Sequence, residues 1–247
     1  MIRARDFFAA REKAERGNIF FFILIGVALF AALSYVISKG MSTQSVSGLS
    51  DRQASLAASD ILDYAQQLSH GVDALRQKNV SESDICFYAP GWGVTTYNYC
   101  SSDTSSQVFS PSGGGVQFRK METDWIDKDV AGSSPEYGLL LFSGNDSVVQ
   151  IGTDGGGDSS QDLMVVFPYL KSVICNQIDK RLGLSYDPPP SDVSGGDIAL
   201  TVKRFDGTFT SDSNSSVYGG GGPLEHVDSA CVESGGKYYF YHVLIAR

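Results

Sequence analysis

"ERGNIFFFILIGVALFAALSYVISKG", Glu15 to Gly40, decides how the rest of the chain is read. From Ile19 to Ile37 it runs 19 residues without a charge, softened only by Ser34 and Tyr35. As a helix rising 1.5 Å per residue, that run is about 28 Å long, close to the thickness of a bilayer's hydrocarbon core. A buried helix of a water-soluble protein normally keeps a polar stripe, and this one has none. Arg3, Arg5, Arg11, Lys13 and Arg16 precede it and Lys39 alone follows closely. The positive-inside rule then puts the N-terminus in the cytoplasm and the bulk of the chain outside. The run is too long and uniform for a signal-peptide core, and "SYVISKG" is a poor small-x-small cleavage site, so the segment is expected to span the membrane and stay.

Helical patterning resumes beyond the apolar run. After a Ser/Gly-rich patch at Gly40–Ser50, apolar residues recur at Ala57, Ile61, Tyr64, Leu68, Val72 and Leu75, steps of three and four that mark one helix face. Charged and amide residues from Asp51 to Arg76 fill the other positions. Asn18 to about Lys78 therefore reads as one long helix, or two nearly collinear ones, with Gly40 and Gly48 as places to bend. Its first half is apolar all round, and its second half packs one face on a globular head.

At 247 residues the chain has room for one sizeable domain plus this appendage. Its 27 glycines indicate many turns. Of 19 basic and 28 acidic residues, five and three lie in residues 1–17, which leaves 14 against 25, a net of −11, on the remainder. So acidic a head excludes nucleic acid as a partner, because each phosphate contact needs a cation, and argues against anionic lipid surfaces. Cys86, Cys100, Cys175 and Cys231 all follow the apolar run and show no CxxC or Cys/His spacing for zinc. An even count in an exported region predicts two disulfides, with three pairings open. Cys86–Cys100 would close a short loop and Cys175–Cys231 would tie a helix to the last strand region, each stabilising by roughly 3–4 kcal/mol.

Within residues 79–247, "ICFYA" and "GVTTYNYC" read as strands on either side of Pro90–Gly91. "YGLLLF", "SGND" and "SVVQIG" (residues 137–152) read as a hairpin. "DLMVVFPYLKSVICNQIDKRLGL" reads as a helix, with Asp162 as N-cap and Gly183 as its stop, Met164, Phe167, Leu170, Ile174 and Ile178 falling at helical spacing. "DIALTVKRF" (197–205) and "KYYFYHVLIA" (237–246) read as strands, the second apolar on both faces. The fold class is thus α+β: a long N-terminal helix, transmembrane then amphipathic, on a mainly antiparallel sheet with a second helix.

Chemistry is sparse. His70 sits among polar residues, and His242, within an aromatic strand, reads as a structural histidine. There is no Gly-x-Ser-x-Gly elbow, and the glycine clusters at 113–115, 155–157 and 219–222 lack phosphate-loop spacing. Asp154, Asp158 and Asp162 are weak calcium candidates on a glycine loop that matches no EF-hand. Trp92, Tyr97 and Tyr99 crowd the Cys86–Cys100 loop, either a contact surface or a satellite core. No cofactor and no enzymatic activity are expected.

The basic leader ending in Gly17, the Gly17–Asn18 junction, the apolar helix and its amphipathic continuation together resemble a type IV pilin or a type II secretion pseudopilin. The resemblance covers residues 1–78 and, loosely, the α-then-β head. It implies a cytoplasmic leader (residues 1–17), a prepilin-type peptidase that cleaves after Gly17 and methylates Asn18, a span at 19–37, and an exported head (79–247). The implied partners are membrane lipid, that peptidase, and other pilin-like subunits packed through the N-terminal helix. The implied location is the inner membrane, with a periplasmic head, then a periplasmic or extracellular filament. Phe22 stands where the family carries the Glu that docks a subunit on the preceding N-terminal amine, which points to a minor or specialised subunit; Asn18 stands where Phe or Met is usual. The alternative is a single-pass signal-anchored protein whose exported binding or accessory domain forms no filament.

Overall fold

The structure, a computed structural model, describes residues 19–42, 50–92, 95–100, 102–131, 137–153, 160–191, 193–194, 204–211 and 215–247. The chain divides into two compact units, Met1–Gly48 and Leu49–Arg247. The first contains helix α1 (Ile19–Ser42). The second contains α2 (Asp51–Gln77), the short α3 (Lys128–Ala131), strands β1 (Leu141–Val148) and β2 (Asp162–Leu170), helix α4 (Ser172–Arg181), and strands β3 (Val217–Tyr218), β4 (Ser229–Ser234) and β5 (Lys237–Ile245). The fold is α+β, with a five-stranded mixed sheet in the order β3-β1-β2-β5-β4. Only β3 lies parallel to its neighbour.

Within residues 18–78 the described residues form two helices, α1 and α2, and residues 43–49 lie outside the described residues. α2 opens with its own cap. The Gln53 N–H donates to Ser50 Oγ, and the Ser50 N–H donates to Gln53 Oε1, a reciprocal capping box that satisfies two otherwise orphaned donors. All six apolar positions of the α2 stripe are buried. Tyr64 meets Phe167 of β2 edge-on, and Phe167 in turn packs on Phe240 of β5. Gly71 lies where α2 packs closely on the loop at 108–116, since a Cβ there would stand 2.3 Å from a Val116 methyl. In α1 the described side chains, residues 21–32 and 34, are all exposed.

Several sequence expectations are corrected. Residues 162–170 form a strand, with the helix confined to 172–181. Every β2 residue is buried, so a strand covered on both faces imitates a helix's apolar spacing. Pro168, which cannot donate to a ladder, falls in a register shift between Phe167 and Leu170, where Tyr169 takes φ +58°. Asp162 is the first residue of that strand instead of a helix cap. Gly183, at φ +78°, does end α4 as expected. The hairpin at 137–152 is a single strand: β1 passes straight through "SGND" with a bulge between Ser143 and Asp146. Gly144 sits in that bulge, and a Cβ there would meet the Phe205 ring at 2.6 Å. "ICFYA" supplies only an isolated bridge, Cys86 to Gln107, and Thr95–Cys100 is a 3₁₀ turn. Residues 197–203 of "DIALTVKRF" lie outside the described residues, and Arg204 bridges to Ser143. β5 is the expected strand, between β2 and β4.

The free side of β4 is closed by groups that are not a strand. Cys231 and Glu233 point their N–H groups away from β5. The first donates to Asp179 Oδ1 of α4 at 2.8 Å and the second to the Pro190 carbonyl at 2.9 Å. At the other edge Ser194 accepts and donates for Val217 of β3. Such covers keep a sheet edge from pairing with another chain.

Candidate functional site

The largest chemical anomaly of the described surface is α1. Phe21, Phe22, Ile23, Leu24, Val27, Leu29 and Phe30 point outward around the helix, with Phe22 71% and Leu29 66% exposed. At roughly 25 cal/mol per Å² of apolar surface, leaving these side chains in water is costly. Counting only residues whose side chains are described, no helix is long and apolar enough to cross a membrane. Gly17 and Asn18, the expected processing junction, lie outside the described residues.

Both disulfides are present, Cys86–Cys100 and Cys175–Cys231, and no free cysteine remains. All four cysteines are buried, so they act as staples instead of exposed thiol chemistry. Aromatic side chains of the loop closed by Cys86–Cys100 join the main core. Trp92 stacks on Tyr97 at 5.0 Å between centroids, and Phe87 stacks on Phe142 of β1 at 3.8 Å. The Phe142 N–H donates to the Tyr97 hydroxyl at 3.0 Å, which stitches this loop to the sheet. Tyr99 instead keeps its ring half-exposed and donates its hydroxyl to the Ile85 carbonyl. Burial, then Asp206 and Asp84, push its phenol above the usual range. The neighbouring groove, about 510 Å³, is lined by Ser83, Asp84, Asp103, Ser105 and Asp206 and is acidic.

His242 is the one histidine with built partners among the described residues. Its Nε2 lies 2.7 Å from the Ser69 hydroxyl of α2 and its Nδ1 faces the Ser229 hydroxyl of β4. Burial pushes the imidazole below its ordinary range, opposed by Asp228. A serine beside a neutral histidine resembles a nucleophile–base pair, but neither residue lines any of the described cavities. The trio reads as the bolt between α2 and the β4–β5 pair, in keeping with the structural role expected for His242. His70 is exposed, and the His226 N–H donates to the Val149 carbonyl.

Of the calcium candidates, Asp154 and Asp158 lie outside the described residues. Asp162 is fully buried, its two oxygens accepting the Val148 and Arg247 N–H groups, each at 3.0 Å. Asp146, opposite it in register, accepts the Ser216 N–H at 2.8 Å. These carboxylates replace ladder acceptors at the bulge, a role the acidic spacing did not reveal. Among the described residues no group of three or more His, Cys, Asp or Glu is placed to hold a metal ion. A cavity of about 30 Å³, room for one water, lies between Tyr64, Arg119, Trp125 and Phe167. There the Arg119 N–H donates to the Tyr64 hydroxyl, whose pKa burial pushes up to about 12 against the opposing effect of that bond and of the Arg119 charge.

Asp179 is the side chain that sequence reading passed over. It lies one helical turn after Cys175, on the same face of α4, a spacing that could have placed it against the strand of Cys231. No family model, curated protein or solved structure matches the chain.

Proposed function

We propose that this chain is a pilin-like or pseudopilin-like subunit, held in the membrane by residues 19–37 before its N-terminal helix joins a bundle of like helices. The observation that carries the proposal is the bare apolar surface of α1, which only lipid or other apolar helices satisfy. A basic leader ending at Gly17 supplies the processing signal, and the acidic, disulfide-stapled α+β head is the part presented outside. The role is structural, with no catalytic step assigned to any residue.

Phe22 favours a second reading, a permanent signal anchor carrying an exported binding or accessory domain. It places a phenyl ring, exposed and without charge, where pilin docking uses a carboxylate. Intact mass and N-terminal sequencing of the protein from its native membrane separate the two. A chain that begins at N-methylated Asn18 is the expected result. A chain that still begins at Met1 removes the pilin-like reading and leaves the anchor.

A further inference from the structure

Asp179 has a job that leaves it only half satisfied. Its side chain is wholly buried between α4 and β4, and Oδ1 accepts the outward N–H of Cys231. Oδ2 is equally buried and has no hydrogen-bond partner. A carboxylate in that position carries a charge out of water with one neutral amide to compensate it, whereas the neutral acid still offers a carbonyl oxygen to Cys231. Four residues earlier on the same helix, Cys175 is bonded to Cys231 itself. The carboxyl and the disulfide therefore hold the same point of the β4 edge, one by a proton-dependent contact and one covalently.

The charged and titratable groups around α4 do not supply a counter-ion. On α4 itself Lys180 and Arg181 are exposed, and Arg181 donates to the Ser55 hydroxyl of α2. α2 brings Asp51 and Arg52 near this end, β4 brings Glu233, and β5 brings Lys237, Tyr239 and His242. Of these, Lys237 lies over the Tyr169 ring and His242 is held by two serines. Asp187, on the segment after α4, accepts from Asn176. None of them forms an ion pair or hydrogen bond with Asp179 among the described residues. Burial dominates and raises its pKa to about 7, the Cys231 N–H opposing.

We propose that the α4–β4 seam is a proton-operated latch: neutral Asp179 keeps α4 closed over the free edge of β4, and ionised Asp179 releases it, with the Cys175–Cys231 disulfide as tether. The sign follows from linkage. The folded chain keeps a proton that an unfolded Asp loses near pH 4, so the stabilisation is complete below about pH 4 and is lost as pH rises through about 7. Between about pH 4 and 7 opening of the seam should grow about tenfold per pH unit, and it should level off above about 7.

The test uses the full chain in detergent micelles and follows hydrogen exchange of the β4 and α4 peptides from pH 5.5 to 8.5, corrected for intrinsic exchange. In the wild type, protection at Cys231 should fall steeply from pH 5.5 to about 7 and level off above it, while the β2–β5 pair stays protected. Asp179→Asn, which keeps an oxygen for Cys231 and cannot ionise, should hold its protection flat. Equal pH dependence in both proteins, or none in either, overturns the latch. Should the variant not fold, infrared difference spectra of wild type against pH decide it: a buried protonated carboxyl that titrates between pH 6 and 8 upholds the proposal, and its absence overturns it.

Discussion

α1 and α2 are helices of similar length, 24 and 27 residues, composed for different surroundings. α1 is apolar on every described side and shows all of it. α2 repeats its apolar residues every three or four positions and hides them against the sheet, with Asp60, Asp63, Gln66 and Gln67 turned outward. The helices differ both in how hydrophobic they are and in how the apolar residues are distributed around the axis. A stripe specifies a neighbour within the same unit, and a full circumference specifies a solvent or a bundle.

One substitution made in both helices puts that contrast at risk. Leu68→Arg buries an unpaired charge under α2 and should cost more than about 4 kcal/mol, enough to unfold the head. Leu29→Arg, near the middle of the apolar run, should cost about 2.5–3.5 kcal/mol of membrane insertion and leave the head's melting unchanged. Thermal unfolding and alkaline extraction of membranes read the two effects separately. A head that melts early in Leu29→Arg would show that α1 belongs to the same cooperative unit.

The paired glycines sharpen the same contrast at smaller scale. Gly71→Ala drives a methyl into Val116 and, after the roughly 1 kcal/mol that alanine gains in a helix, should still destabilise the head by about 1–2 kcal/mol. A Cβ at Gly26 meets nothing within 4 Å, so Gly26→Ala should leave head stability unchanged. Chemical denaturation of both variants checks the pair. Smallest of all, Ser50→Ala removes the cap of α2 and should cost about 1 kcal/mol, visible as faster hydrogen exchange in residues 51–54.

What the sequence disclosed and what it hid follow one physical line. α2 was legible because a half-buried helix writes its period into its residues. β5 was legible because aromatic and β-branched residues crowd it, and the cysteine pairings found are the two whose loops were considered at the outset. β2 was not legible as a strand, because burial on both faces erases the two-residue alternation and leaves Met164, Phe167 and Leu170 at a helix-like spacing. The bulge at Ser143–Asp146 used the same residue types as a turn, so "SGND" misled in the opposite direction. The roles of Asp146, Asp162 and Asp179 were hidden for a further reason. A carboxylate that accepts a backbone N–H from a distant strand leaves no local pattern.

The capping box at Ser50 has a practical consequence. The first turn of α2 closes its hydrogen bonds with residues that belong to α2 itself, so nothing upstream of Leu49 is required to start that helix. Residue 49 is therefore a natural splice point. A soluble carrier or a different anchor joined there should leave the α+β unit to fold around its own first residue, which makes the head a portable cassette.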